Sequence, residues 1–180
     1  MTRSIYLPPW RIDVSVRDGV ASLLSGAEIA RTAVRALAAA GAPEDASLGI
    51  TLSDDAELAS LNATHMGESY ATDVLSFPLL PPGVLPPHPG KTTSSDRGPA
   101  FVLPPGGRTN LGDIVVSVER AIAQAEEGRG GQTGDVRWSP PDELRLLITH
   151  GVLHIFGWDH ADPIERDAMR AVERELLGRR

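Results

Sequence analysis

Three of the chain's five histidines fall within eleven residues, in the run His150-Gly151-Val152-Leu153-His154-Ile155-Phe156-Gly157-Trp158-Asp159-His160. His150 and His154 are four apart, so on a helix they are rotated by only about 40° from each other and share a face. Gly157 is the residue type that ends a helix in the left-handed conformation, which lets the chain turn back and bring His160 toward the same point. Three neutral imidazoles at about 2.0–2.1 Å suit zinc, and three protein ligands leave a fourth position for water, as in catalytic rather than structural sites. No ligand in the set is anionic, so the ion would keep its double charge and lower the pKa of a bound water toward about 7. The chemistry this points to is metal-assisted hydrolysis, with one zinc per chain on His150, His154 and His160. His65 and His88 carry no such spacing and are read as ordinary side chains.

The spacing equals that of the metzincin proteases, but position 151 is Gly where those enzymes hold their general-base Glu. Peptidase chemistry is therefore disfavoured. Gly151 either leaves room for a bulky substrate beside the metal or allows close helix packing. Asp159 either accepts from a ligand imidazole and orients it or bonds its own backbone in a turn.

The elements that must position these residues follow from local pattern. Ile12, Val14 and Val16 alternate with polar residues as in a half-buried strand, with a turn at Asp18-Gly19. Ser25 and Glu28 form a capping box for a helix striped by Ile29, Ala33, Leu37 and Ala40 and stopped by Gly41. Leu48, Ile50 and Leu52 form a second strand, and Asp54 with Glu57 opens a short helix to about Asn62. Val74 to Phe77 and Leu111 to Ser117 read as the third and fourth strands, followed by a helix from Val118 to about Glu127 and a linker from Gly128 to Gly134.

Ser139-Pro140 then starts the helix that carries the histidines, and Leu144, Leu146, Leu147, Ile148, Val152, Leu153, Ile155 and Phe156 make it apolar almost all round, hence buried and central. Asp162-Pro163 with Glu165 opens a last helix striped by Ile164, Ala168, Val172 and Leu176 and closed by Gly178. The expected fold is one α/β (α+β) domain over 1–180, with a small mixed four-stranded sheet packed against helices. From Leu79 to Thr109 the chain holds eight of its 15 prolines and five glycines without apolar periodicity. Such a stretch cannot offset its ordering entropy by burial, and it is expected to be a mobile insertion.

Composition narrows the class further. There are no cysteines, which removes a disulfide framework, a cysteine-rich zinc site and a thiol nucleophile. The start Met1-Thr2-Arg3-Ser4 lacks the apolar core of a signal peptide, and no stretch has the roughly 18 apolar residues of a membrane span. The expectation is a soluble, cytoplasmic protein with no membrane partner. A net charge of −7 argues against a broad electrostatic grip on DNA or RNA, so any RNA contact must be local, metal-centred or shared with a partner.

The histidine run resembles the His-Gly-x-Leu-His-x-x-Gly-x-Asp-His signature of the YbeY family of endoribonucleases. Thr72-Asp73-Val74-Leu75-Ser76-Phe77-Pro78 resembles that family's TDVLSFP segment, and Leu111-Gly112-Asp113-Ile114 its LGDI strand. With Leu61-Asn62 and Met169, the blocks stand in family order from about residue 10 to the end.

The resemblance implies a zinc-type ion on His150, His154 and His160 and cleavage of single-stranded RNA. It also implies a role in maturation of the 3′ end of small-subunit (16S) rRNA and in ribosome quality control, with that RNA and the small ribosomal subunit as partners. His150 as a ligand, Asp159 beside the ligands and Asp73 at the cleft are the candidate catalytic positions.

The departure is at His65-Met66, which stand where the family pattern has Tyr-Arg. That arginine is taken to contact substrate phosphate, and methionine cannot do so. Either Arg97 or Arg108 substitutes, or cleavage is slow or lost, which would leave a ribosome-associated binding protein with a structural metal.

Overall fold

The computed structural model describes residues 2–81, 85–89, 107–128 and 139–178. β1 (Thr2–Leu7) and β2 (Trp10–Val16) form a hairpin closed by Pro8-Pro9, whose peptide is cis. α1 (Gly26–Ala39) follows, then β3 (Ala46–Ser53), α2 (Asp55–His65), β4 (Val74–Pro78) and β5 (Thr109–Ser117). The chain finishes with α3 (Val118–Glu126), α4 (Pro140–Ile155) and α5 (Pro163–Gly178).

The strands form one sheet in the order β1-β2-β3-β5-β4, so it has five strands rather than four. β2, β3 and β5 run parallel, while β1 and β4 pair antiparallel at the two edges. The extra strand is β1, where Thr2, Arg3, Ser4 and Tyr6 are exposed and only Ile5 and Leu7 pack inward. With only two inward residues and the aromatic Tyr6 between them, the alternation is too short and too apolar to read as a strand.

Local chemistry sets the helix ends. Ser25 and Glu28 complete the capping box of α1, and Asp54 accepts from the Glu57 N–H at 2.8 Å to start α2. α2 runs on to His65, one turn past Asn62, with Met66 as its C-cap. Asp162 accepts from the N–H groups of Ile164 and Glu165 and so starts α5.

The main core lies on one face of the sheet. There Ile12, Val14, Leu48, Ile50, Ile114 and Val116 meet Ile29, Ala33 and Leu37 of α1 and Leu144, Ile148, Val152 and Ile155 of α4. The other face is covered more thinly by α2, through Leu58 on Leu75 and Val115. α4 is buried along most of its length and packs on α1, α3, α5, β4 and β5. Most of 79–109 lies outside the described residues, as do Arg97 and most of the 128–134 linker; 85–89, which is described, packs on the domain.

Candidate metal centre

α4 holds His150 and His154 on one side, and the way the helix is seated explains why they are fixed. On the neighbouring face of the same turn Gly151 meets the sheet: a Cβ there would stand 2.7 Å from Ile114 Cγ2 and 3.0 Å from Val74 Cγ2. The glycine is therefore what lets α4 lie close on β4 and β5, and it opens no space for substrate. Ser76 Oγ donates to the Gly151 carbonyl at 2.9 Å, pinning the same turn to β4.

Beyond Ile155 the chain leaves the helix through a Schellman turn. Gly157 takes φ 78°, its N–H donates to His154 O at 2.9 Å, and the Trp158 N–H donates to Leu153 O at 3.2 Å. That turn brings His160 back beside the helix.

The three imidazoles gather at one place. Ring centroids lie 4.4 Å apart for His150 and His154, 5.3 Å for His154 and His160, and 5.8 Å for His150 and His160. His150 Nε2 and His154 Nε2 face each other across 2.9 Å. Behind His150, Glu173 Oε1 lies 2.7 Å from Nδ1. Glu173 is buried, so its carboxylate holds the Nδ1 proton and leaves the Nε2 lone pair directed at His154.

Burial first, and then the nearby charges of His150 and His160, lower the pKa of His154 to about 4. It is therefore neutral at pH 7, the form that can donate a lone pair to a cation.

The donor set fits an ion on two of its three sides. Two imidazole nitrogens bound at 2.0–2.1 Å in tetrahedral geometry stand about 3.3 Å apart, so the 2.9 Å pair needs only a small rotation to open. His160 is the loose member, with its side chain 61% exposed. Among the described residues no group of three or more His, Cys, Asp or Glu side chains closes on one point as a finished coordination set.

The candidate acids sit in turns and caps. Asp159 Oδ1 accepts from the N–H of His160 at 2.6 Å and of Ala161 at 3.3 Å, and lies 3.3 Å from His160 Nδ1. The His160 backbone bond, helped by that from Ala161, holds the Asp159 carboxyl below its ordinary value. Asp159 thus orders the turn and touches the His160 ring. Asp73 Oδ1 accepts from the Val74 N–H at 2.9 Å, and Oδ2 from Gln124 Nε2 at 3.0 Å, tying the start of β4 to α3.

Met66 is 53% exposed at the end of α2. Arg108 is engaged at the far edge of the sheet: it donates to Pro9 O at 2.8 Å and to Tyr6 Oη at 3.0 Å, and stacks over the Tyr6 ring. β1 and β4 are opposite edges, and α4 packs against β4, so Arg108 does not replace an arginine at the histidines.

Glu173 is the residue that sequence reading missed. Its only signal was an acid placed between Met169, Val172 and Leu176 on the inward side of α5.

With this arrangement in view, comparison with known proteins decides the family. The model of the family described as Endoribonuclease YbeY matches residues 20–180. The chain belongs to that family. Among curated YbeY endoribonucleases, that of Symbiobacterium thermophilum is 38% identical over 83% of this chain and 82% of its own length. Those of Roseiflexus castenholzii and Azorhizobium caulinodans are 32% and 36% identical, over 93% and 92% of this chain and 91% and 89% of theirs. The solution structure of TM1509 from Thermotoga maritima matches 93% of this chain and 89% of its own, with a TM-score of 0.52 at 19% identity, which shows the shared fold. The histidines of α4 and its closing turn are, among the described residues, side chains that could together hold an ion.

Proposed function

We propose that the chain is a zinc-dependent endoribonuclease that cuts single-stranded RNA and acts in the cytoplasm on the 3′ end of small-subunit rRNA, within ribosome maturation and quality control. The observation that carries the reading is the Nε2 pair of His150 and His154 at 2.9 Å with the buried Glu173 behind it. Family membership supplies RNA as the substrate class.

A zinc ion held by His150, His154 and His160 would supply a Lewis acid for the phosphodiester and acidify water. The chain's own part is to present these ring nitrogens. Glu173 keeps the His150 proton on Nδ1, burial keeps His154 uncharged, and Asp159 orders the turn that carries His160. Gly151 and Ser76 fix α4 against β4, so the Thr72–Pro78 segment and the histidines keep one relative position.

The −7 charge leaves the RNA grip to this local centre and to the ribosomal subunit as partner. The second reading, a ribosome-associated binding protein with a structural metal, is favoured by Met66 at the family's arginine position. Incubating zinc-loaded protein with a single-stranded 3′ rRNA fragment, its duplex form and denatured protein separates these readings. Cutting of the single strand alone, abolished by chelator, is the expected result. Zinc retained with no cutting overturns the nuclease reading in favour of the binding one.

A further inference from the structure

The long Pro-rich stretch returns to the domain at 85–89. Leu85 packs against the main core, and Pro86 lies against Gly41, where a Cβ would meet it at 3.5 Å. The His88 side chain is only 6% exposed. Its ring lies flat on Trp158, with centroids 4.4 Å apart and planes inclined by 13°. His88 Nδ1 is 3.6 Å from Glu165 Oε1, and that oxygen accepts the Asp159 N–H at 2.7 Å. Trp158 and Glu165 are both buried.

These contacts bracket the third imidazole. His160 is itself exposed, and what holds it is its backbone bond to Asp159, whose own N–H is held by Glu165. Trp158, two residues before His160, is clamped between the core and the His88 ring. Removing His88 frees one face of Trp158 and opens Glu165 to water. The turn from Trp158 to Ala161 then loses the contact that orders it from outside.

We infer that His88 is a positioning residue for His160, so that docking of 85–89 raises the zinc affinity of the centre and zinc in turn holds 85–89 down. The inference rests on the metal-centre reading above. The coupling must be reciprocal, because two binding events that favour the same arrangement strengthen each other equally. One aromatic stack sets its scale at about two- to tenfold in affinity.

The test compares wild type, His88→Ala and His88→Phe. Zinc affinity is read by competition with a chromophoric chelator, and amide exchange is followed at 158–161 and at Leu85 and His88. His88→Ala is expected to bind zinc two- to tenfold more weakly and, without metal, to exchange faster at 158–161. His88→Phe keeps the stack and restores most of both. In wild type, zinc slows exchange at Leu85 and His88.

Unchanged zinc affinity in His88→Ala overturns the inference, and a lowered thermal midpoint alongside it assigns His88 to packing alone. If wild type binds no zinc, the metal reading falls separately. The exchange at 158–161 in metal-free protein then decides: faster exchange in His88→Ala keeps the positioning role, and equal exchange removes it.

Discussion

His150 and His154 stand on a helix gripped by the sheet and by three other helices, whereas His160 stands on an exposed turn held by side chains and backbone bonds. The first pair has its geometry set by the fold's core: Gly151 seats the helix, Ser76 pins it and Glu173 aims one ring. The third has little of its own to hold it. A site built this way has a rigid floor and an adjustable wall. An ion held here would be admitted at the wall, where regions outside the core would alter its affinity.

Substitutions tell floor from wall. The largest effect is expected for His154→Ala, which removes a floor ligand and should abolish zinc retention, whereas His160→Ala should leave weak, measurable binding; elemental analysis after gel filtration checks both. Equal loss in the two variants would dissolve the distinction between floor and wall. Glu173→Gln keeps the shape but not the charge behind His150, and zinc affinity should fall by roughly ten- to a hundredfold in a chelator competition.

Gly151→Ala presses a methyl group into Ile114 and Val74, and should destabilise the metal-free chain by about 1–3 kcal/mol in denaturant unfolding. No loss there would mean that the helix seating is soft. Met66→Arg changes an exposed side chain and should leave zinc content and the thermal midpoint as they are, while raising cleavage of single-stranded RNA by at least several-fold. Met66→Lys, which lacks the planar fork, should recover less.

The smallest effect lies far from the histidines, at the Arg17–Glu57 pair. Hydrogen bonds from Arg17 and then from Ser53 hold the Glu57 carboxyl below its ordinary value near 4.5. A depressed carboxylate stabilises the fold fully above its unfolded-state value and loses that contribution as pH falls on through the lower folded-state value. Arg17→Ala should therefore cost about 0.2–1 kcal/mol at pH 7 and progressively less as pH falls below the ordinary carboxylate range, measured by unfolding across that range.

What could be read in advance depended on whether the determining contact was local in sequence. The capping box at Ser25 and Glu28, the Gly157 stop and the i, i+4 histidines are short-range devices, and each stands where its spacing placed it. Glu173 lies 23 residues from His150, and only the packing of α5 on α4 turns an ordinary helical acid into the partner of a ring nitrogen. Gly151 allowed two readings because a sequence cannot say which face of a helix meets a sheet; Ile114 decided it. The composition of 79–109 described a solvated stretch, yet Leu85 and His88 are partly buried, since two or three contacts suffice to dock a few residues of a polar, Pro-rich segment.

The close seating at Gly151 also bears on how this fold can be re-engineered. The Thr72–Pro78 and His150–His160 blocks touch through Val74, Ser76 and the Gly151 backbone, and Ile114 of the third block fills the same contact. They behave as three teeth of one key rather than as independent cassettes. A chimera that imports a relative's histidine run without its matching strands would have to rebuild that contact at once. Homologous recombination between distant members should therefore succeed at crossovers outside these blocks and fail at those that separate them.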